Sequence, residues 1–223
     1  MTLNKIRHYI TSAFELQFRF VAIFFVVFYT VGILGLSFAF SFSYFVKLTP
    51  LALLLSFVIL LFYHKHFTIK TGLIFSLIFL IGFGIELLGV HTKMIFGSYS
   101  YGDSLGLKIL DTPLIIGVNW LLLVYLANSV LDKLKLKAAI KIFLAALILL
   151  TYDLILEQVA PLIHMWSWES DTVPLQNYLA WFVLALIFSA LLSWSKVNLK
   201  NRIAPVILIC QSLFFILLLF ILK

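Results

Sequence analysis

Long apolar runs alternate with short polar stretches along the chain, and this pattern predicts helices that span a membrane. The runs cover about 20–41, 48–63, 70–90, 113–131, 138–157, 174–194 and 203–222. Most of them reach the roughly 20 residues that a helix needs to cross a hydrocarbon core. We therefore predict an all-α polytopic bundle of about seven transmembrane helices. The second run is short and begins near Pro50, and the number falls if the first two runs form one re-entrant unit.

The composition indicates that lipid is the solvent. Of the 223 residues, 64% are hydrophobic and 11% are charged, whereas a soluble domain carries about 25% charged residues. The length fits one integral membrane domain over 1–223, with no visible linker. The net charge of +7 does not indicate nucleic-acid binding, because the basic residues lie in short stretches between the apolar runs.

Basic residues are divided unevenly between the two sides of the predicted bundle. Twelve fall on the side of the N-terminus, namely Lys5, Arg7, Arg19, Lys65, Lys70, Lys133, Lys135, Lys137, Lys141, Lys196, Lys200 and Arg202. The other side has Lys47, Lys93, Lys108 and Lys223. Since cytoplasmic loops carry the excess of Lys and Arg, we predict a cytoplasmic N-terminus and an external C-terminus. The sequence has no eukaryotic targeting signal, so we expect a multi-pass protein of a bacterial or archaeal plasma membrane.

Acidic residues favour the opposite, external side as the location of a functional site. The two long external loops, about 91–112 and 158–173, are rich in Gly, Tyr and Trp, and they contain Asp103, Asp111, Glu169 and Asp171. Three further acids, Glu86, Asp153 and Glu157, lie inside predicted helices near their external ends. Ionisable residues within a span are costly, so they indicate a function by default.

Glu86 shares one face of its predicted helix with Gly82 and Gly89. Small residues at these spacings would let another helix, or a flat ligand, approach the carboxylate closely. The alternative interpretation is structural, with Glu86 in an ion pair with Lys93 or Lys108.

Asp153 and Glu157 are four residues apart, one helical turn from each other on the same face. Two carboxylates in a low dielectric cannot both ionise cheaply, so one of them can stay protonated near neutral pH. A protonated acid beside an ionised one is the pairing that general acid–base chemistry needs. The alternative is that both residues cap loops or lie in the wetted headgroup zone.

Other polar residues have simpler interpretations. His64 and His66 are predicted to lie in a solvated turn, and we assign no metal. Asn119, Asn128 and Gln211 lie within predicted helices, where we expect them to form interhelical hydrogen bonds.

Two segments carry an ordered set of acids, glycines and aromatic residues. The first has Glu86-Leu-Leu-Gly-Val-His-Thr92, then FGSYSY from Phe96 to Tyr101, and Trp120. The second has Asp153-Leu-Ile-Leu-Glu157, then Trp166-Ser-Trp168 and PLQNYLAW from Pro174 to Trp181. The set covers about residues 82–182. It resembles the membrane-bound carotenoid biosynthesis proteins, a family that includes bisanhydrobacterioruberin hydratase and γ-carotene 1′-hydratase.

The resemblance implies that water is added across the C1′,2′ double bond of an acyclic carotenoid, a polyene that stays in the bilayer. A carboxylic acid would protonate C2′, leaving a tertiary cation at C1′, and a second carboxylate would accept a proton from the incoming water. Glu86, Asp153 and Glu157 would be the catalytic acids, and no cofactor is required. The residues expected to bind the substrate are Gly89, Phe96, Tyr99, Tyr101, Trp120, Trp166, Trp168, Asn177 and Trp181. The Tyr and Trp residues of the loops have an alternative role, as an aromatic belt at the membrane interface.

Two other functions would use the same acids. A proton-coupled transporter would use them as a proton relay, although the sequence shows no inverted repeat and no pair of broken helices. A carotenoid cyclase would share the protonation step and the cation, but it would close a ring instead of adding water.

Overall fold

The computed structural model describes residues 16–170 and 172–223 and is an all-α bundle, as the sequence predicts. Its helices are α1 (Phe18–Ser37), α2 (Ala39–Lys47), α3 (Thr49–Phe62), α4 (Ile69–Thr92), α5 (Ile115–Asp132), α6 (Ala138–Val159), α7 (Leu175–Ser195) and α8 (Ala204–Leu222). A 3₁₀ turn, Ala160–Ile163, continues α6. Short strands β1 (Tyr99–Tyr101) and β4 (Trp166–Trp168) pair antiparallel, as do β2 (Lys108–Ile109) and β3 (Thr112–Pro113).

Six of the described helices are long and apolar enough to cross a membrane, and the number is seven if the bent pair α2–α3 is one span. The predicted run 20–41 is wrong at its end, because α1 stops at Ser37 and Phe38 is extended. A bend of 53° then separates α2 from α3. Ser41 stabilises the first break, since its hydroxyl donates to the Gly35 carbonyl (2.8 Å), an acceptor that the end of a helix leaves unpaired.

The helix α3 joins the two sides of the bundle, and α2 is a connector on one of them. Pro50, in the first turn of α3, lies against Gly106 in the long loop after α4. Near the other end of α3, the Leu60 carbonyl accepts a hydrogen bond from Asn201 Nδ2 (2.9 Å) in the turn before α8. The short second apolar run therefore crosses from one side to the other.

Local sequence fixes several helix ends. Thr68 and Thr71 form a reciprocal capping box that begins α4. Proline stands in the first turn of α3 and of α8, where no N–H is needed for the helical ladder. Pro161 in the 3₁₀ turn and His164 in a left-handed conformation end α6 and direct the chain into β4.

The central helix is α5, which packs against α3, α4, α6, α7 and α8. Most of its residues are buried, whereas the other spans expose large apolar side chains such as Phe20, Leu73, Ile187 and Phe220. An exposed apolar surface on every outer helix is what a lipid environment requires. Because α5 is central, side chains in its early turns face the loops that cover one end of the bundle.

The described charged residues lie on the two sides that the sequence predicts, although which side is cytoplasmic stays a prediction. Arg202 lies over the Phe18 ring at 4.0 Å, on the side of the short turns. Lys223 donates to Gln158 Oε1 (3.0 Å), on the side of the long loops. Lys5 and Arg7 lie outside the described residues.

Two of the simpler polar predictions are wrong in part. His64 is buried rather than solvated, with Nδ1 at 2.7 Å from the Tyr125 hydroxyl. Asn128 forms the predicted interhelical bond, since its Nδ2 donates to Ser189 Oγ (2.9 Å). The Gln211 side chain makes no hydrogen bond with any residue that the structure describes, and its Oε1 is buried.

Candidate acid site

A two-stranded ribbon covers the end of the bundle where the long loops lie. Its register places Tyr99 opposite Trp168 and Tyr101 opposite Trp166. Since alternate residues of a strand point to the same face, these four aromatic side chains project inward, and Ser100 and Ser167 between them are exposed. The predicted alternative of an interfacial belt is wrong, because three of the rings are 6–7% exposed and all four side chains donate hydrogen bonds to buried acids.

The ribbon depends on a glycine at its open end. Gly102 N donates to the Met165 carbonyl at 2.9 Å. A Cβ on Gly102 would lie 2.2 Å from the His164 carbonyl oxygen, which is part of the backbone and cannot turn aside. The two loops therefore approach each other closely only because residue 102 has no side chain.

Glu86 is held by three donors from two different elements. The hydroxyls of Tyr99 and Tyr101 each donate to Oε2 at 2.7 Å. Trp120 Nε1, in α5, donates to Oε1 at 2.9 Å. The residue is 4% exposed. Hydrogen bonds from neutral donors to a carboxylate are stronger than those between neutral groups, so this arrangement fixes the side chain firmly.

Two glycines one turn from Glu86 let those donors reach it. A Cβ on Gly82 would lie 2.8 Å from Trp120 Cβ, and one on Gly89 would lie 2.5 Å from the Phe96 ring and 3.4 Å from the Tyr99 hydroxyl. The sequence predicted that these glycines admit a helix or a ligand beside Glu86. The structure shows that Gly82 admits α5 and that Gly89 admits the loop.

Glu157 is held by a second set of three donors. Trp166 Nε1 and Trp168 Nε1, both in β4, donate to Oε2 at 3.0 and 2.7 Å. Asn177 Nδ2, in the first turn of α7, donates to Oε1 at 3.0 Å. The ribbon therefore contacts both glutamates, with β1 bound to one and β4 to the other.

Asp153 is fully buried and much less well paired. Its Oδ2 accepts from the same Asn177 Nδ2 at 3.2 Å. Its Oδ1 has no hydrogen-bond partner in the described part of the chain. Asn177 thus links Asp153 to Glu157, and these two acids do not lie in a wetted headgroup zone or cap a loop.

A small cavity of about 20 Å³ lies between Glu86 and Glu157. It is lined by seven of the predicted binding residues, namely Phe96, Tyr99, Tyr101, Trp166, Trp168, Asn177 and Trp181, and by Ile116 and Asn119. About 10–15 Å³ is enough for one water molecule. The cavity therefore has room for a single water with two carboxyl groups in its wall.

The remaining predicted residues support this wall from behind. Gly89 contacts Phe96 and Tyr99, and Trp120 stacks on Trp181 with ring centroids 4.0 Å apart. Asn119 was predicted as an interhelical partner, and sequence reasoning missed its position in the cavity wall. The one feature of the sequence that could have indicated this position is that Asn119 directly precedes Trp120.

Neither lysine considered as a partner for Glu86 contacts it. Lys93 forms an ion pair with the exposed Glu169, and the hydrogen bond from Lys93 holds the pKa of that carboxyl below its usual value. Lys108 donates to the Tyr101 carbonyl (2.9 Å) and to Asp103 (3.4 Å). No cation among residues 16–170 and 172–223 pairs with Glu86, so the interpretation as a structural ion pair is wrong.

The phenols of the ribbon remain donors over the whole physiological range. Burial raises the pKa of Tyr99 and Tyr101 well above the usual value, and the neighbouring Glu86 raises both further. Both hydroxyls therefore keep their protons and point them at Glu86.

Comparison of the sequence with known proteins identifies the family of this chain. Residues 48–223 match the family described as carotenoid biosynthesis protein. The chain belongs to this family. The matched range contains every element of the acid site of this carotenoid biosynthesis family member, from α4 to α7.

The chain is also similar to bisanhydrobacterioruberin hydratase of Haloarcula japonica. The two are 26% identical over 151 residues, which cover 60% of this chain and 49% of the relative. The chain therefore spans about half the length of that relative. No solved structure matches it.

Proposed function

We propose that this carotenoid biosynthesis protein is an enzyme that adds water across the C1′,2′ double bond of an acyclic carotenoid end group. The observation that carries the proposal is the cavity of about 20 Å³ with Glu86 and Glu157 in its wall and Asp153 joined to it through Asn177. Hydration needs one water, one acid and one base. The cavity has room for the water, and the three carboxyl groups can supply the acid and the base. The name of the haloarchaeal relative supports the same reaction.

The count of hydrogen bonds supports one division of the acid and base roles. Hydrogen bonds donated to a carboxylate favour its ionised form. Glu86 and Glu157 each accept three, whereas Asp153 accepts one and leaves Oδ1 unpaired. An unpaired buried oxygen costs less on a neutral carboxyl than on a charged one. Asp153 is therefore the acid that carries the proton, and the two glutamates are the candidate bases.

The proposed reaction balances with these groups alone. Glu157, which lines the cavity, accepts the Asp153 proton and passes it to C2′, the π electrons form the new C–H bond, and C1′ becomes a tertiary cation. Water attacks C1′, and Glu86 or Glu157 accepts the proton that it loses. The product is a tertiary alcohol. The accepted proton then returns to Asp153, and Glu157 is its nearest neighbouring acid, one helical turn away.

The surroundings favour a cation at C1′. Rings attract a cation within about 6 Å of their faces, and a dry site strengthens this attraction. Tyr99, Tyr101, Trp166 and Trp168 supply four rings in the cavity wall. Two carboxyl groups on opposite elements add a negative potential, and none of the described residues in the cavity wall is basic.

The position of the cavity suits a substrate that stays in lipid. The site lies at one end of the bundle, under the ribbon, where water can reach the reacting end while the polyene remains between acyl chains. We propose that the chain forms one integral membrane domain over 1–223 in a bacterial or archaeal plasma membrane, with the acid site on the external side.

Expression of the full chain in a host that accumulates lycopene tests the proposal. We expect pigment extracts to contain a product heavier than lycopene by the mass of one water, and an empty-vector host to lack it. A new pigment with the same mass as lycopene would show that the protein is a cyclase and not a hydratase. Unaltered lycopene in cells that contain the protein in their membranes would overturn the proposal.

A further inference from the structure

A second and larger cavity lies between α1, α3 and α8. Its volume is about 330 Å³, at the lower end of the range of small-molecule sites, which is about 300–1,000 Å³. Its wall is mostly apolar, with Phe28, Phe45, Leu53, Phe214 and Phe215 among its residues. None of the described residues lines both this cavity and the one beside Glu86.

Most polar groups near this cavity already have partners. Ser56 donates to the Ala52 carbonyl at 2.8 Å, so the Tyr29 hydroxyl is the donor in its bond to Ser56 Oγ (3.1 Å). Thr49 donates to the Val46 carbonyl at 2.8 Å. These hydroxyls are used within the protein and do not call for a ligand.

Gln211 is the exception. It lies in α8, is 1% exposed and lines the cavity. Its side-chain amide makes no hydrogen bond with any residue in 16–170 or 172–223, and Oε1 is fully buried. An unpaired buried polar group costs about 1–3 kcal/mol. A ligand that pairs with this amide would recover that cost.

We propose that this cavity binds a long apolar chain that carries a hydroxyl group, and that Gln211 recognises the hydroxyl. A primary amide offers N–H donors and a carbonyl acceptor, and a hydroxyl complements both because it accepts and donates. A ketone or an ether would leave the Gln211 carbonyl unpaired. An anionic group is disfavoured, because none of the described residues that line the cavity is basic and could offset the cost of its burial.

Depth in the membrane narrows the class of ligand. Gln211 precedes Lys223 by twelve residues, which places it roughly 18 Å along the helix axis from that end. Lys223 contacts Gln158 on the side of the long loops. A glycerolipid hydroxyl stays at headgroup depth and does not reach Gln211. The hydroxyl of an isoprenoid alcohol, or of the hydroxylated end of a polyene, can reach Gln211. Both ligands offer the same group, a hydroxyl on a long apolar chain.

Photolabelling of the full chain in phosphatidylcholine vesicles tests the site directly. The probe is a C20 isoprenoid alcohol with a photoreactive diazirine, and adducts are located by peptide mass spectrometry. We expect adducts on peptides of α1, α3 or α8, displaced by geranylgeraniol but not by its methyl ether. Gln211→Leu should lower labelling by about fivefold or more, because each hydrogen bond lost accounts for about a factor of five. Gln158→Leu, at an exposed glutamine on α6, is the matched control and should label like the wild type.

The stability of Gln211→Leu provides a second readout. Leucine replaces an unpaired buried amide with an apolar group of similar size, so ligand-free Gln211→Leu should melt at the same temperature as the wild type or higher. A lower melting temperature would mean that the amide is paired within the protein and would overturn the proposal. Equal displacement by the methyl ether, or unchanged labelling of Gln211→Leu, would also overturn it.

Competition distinguishes the two sources of the ligand. Displacement by a mono-hydroxylated acyclic carotenoid, but not by lycopene, would identify a site for a hydroxylated pigment. Displacement by geranylgeraniol alone would identify a site for a free isoprenoid alcohol. Displacement by lycopene as effective as that by both alcohols would show that the hydroxyl is not recognised, and the proposal would fall. None of these measurements depends on the hydration reaction.

Discussion

At the scale of single residues, the proposed chemistry depends on how many donors each buried carboxyl receives. Glu86 and Glu157 each have three, and Asp153 has one. The donors are phenols, indoles and an amide, so they orient the acids without neutralising them. Three acids of similar type thereby acquire different roles.

Removing one donor should weaken the proposed base in a way that pH can reveal. Tyr101→Phe deletes a hydroxyl that favours the ionised form of Glu86. A hydrogen bond to a charged group contributes about 1.5–3 kcal/mol, so we expect hydration to slow by about tenfold or more. Part of the loss should return at higher pH, since higher pH restores the ionised carboxylate. The measurement is product formation against pH in isolated membranes.

Tyr44→Phe is the matched control for this change. Tyr44 is 73% exposed on α2, away from the acid site, so its substitution should leave the rate unchanged. A Tyr101→Phe enzyme with the wild-type rate at every pH would contradict the role assigned to Glu86.

The sequence predicted the acids but not their partners. Helical periodicity placed Gly82, Glu86 and Gly89 on one face, and the i, i+4 spacing of Asp153 and Glu157 placed those two acids together. The partners of Glu86 and Glu157 come from loops joined by strand pairing between residues 99–101 and 166–168. The pattern of residues within each loop does not predict which residues of two distant loops pair with each other.

At the scale of elements, the close approach of α4 and α5 positions Trp120 beside Glu86. The contact exists because Gly82 has no Cβ, whereas Gly84, two residues on, has nothing within 4 Å of its Cβ position. The helix α4 therefore contains one glycine that the packing of α5 requires and one that it does not, and the two can be compared.

Gly82→Ala should impair the enzyme, and Gly84→Ala should not. The new methyl group at residue 82 would press on the Trp120 side chain at 2.8 Å and move its Nε1 from Glu86. Overpacking of this kind costs about 1–3 kcal/mol. We expect a lower melting temperature and slower hydration for Gly82→Ala in purified protein. Equal effects of the two substitutions would show that the α4–α5 contact does not position the site.

The cavity of about 20 Å³ under the ribbon is too small for a carotenoid end group, so entry of the proposed substrate would need β1 and β4 to separate. Ser100 and Ser167 are paired across the strands and exposed. Directly opposite residues have Cβ atoms about 4.5–5.5 Å apart, and a short bis-thiosulfonate cross-linker can join two cysteines at this separation. We expect the double variant Ser100→Cys/Ser167→Cys to lose hydration when it is cross-linked and to regain it with a reductant. Either single variant is the control, and full activity of the cross-linked form would exclude strand separation.

At the scale of the whole molecule, the two ends of the bundle differ in charge and in construction. One end has short basic turns, and the other has the long loops, the ribbon and the acid site. The bias in Lys and Arg predicts that the acid site is external.

Cysteine labelling in intact cells tests this orientation. In a Cys210→Ala background, Asp103→Cys should react with a membrane-impermeant maleimide, because Asp103 is exposed in the long loop. Lys135→Cys, exposed in the turn after α5, should react only after the cells are opened. The reverse pattern would invert the topology and place the acid site on the cytoplasmic side.

The most direct test of the central claim compares amide variants of the three acids in membranes supplied with an acyclic carotenoid and water labelled with heavy oxygen. The wild type and the exposed-acid control Glu169→Gln should form a product that contains the labelled oxygen. Glu86→Gln, Asp153→Asn and Glu157→Gln should form none at equal membrane levels, because each lacks a group that must hold or accept a proton. Product at the wild-type rate from all three variants would contradict the account.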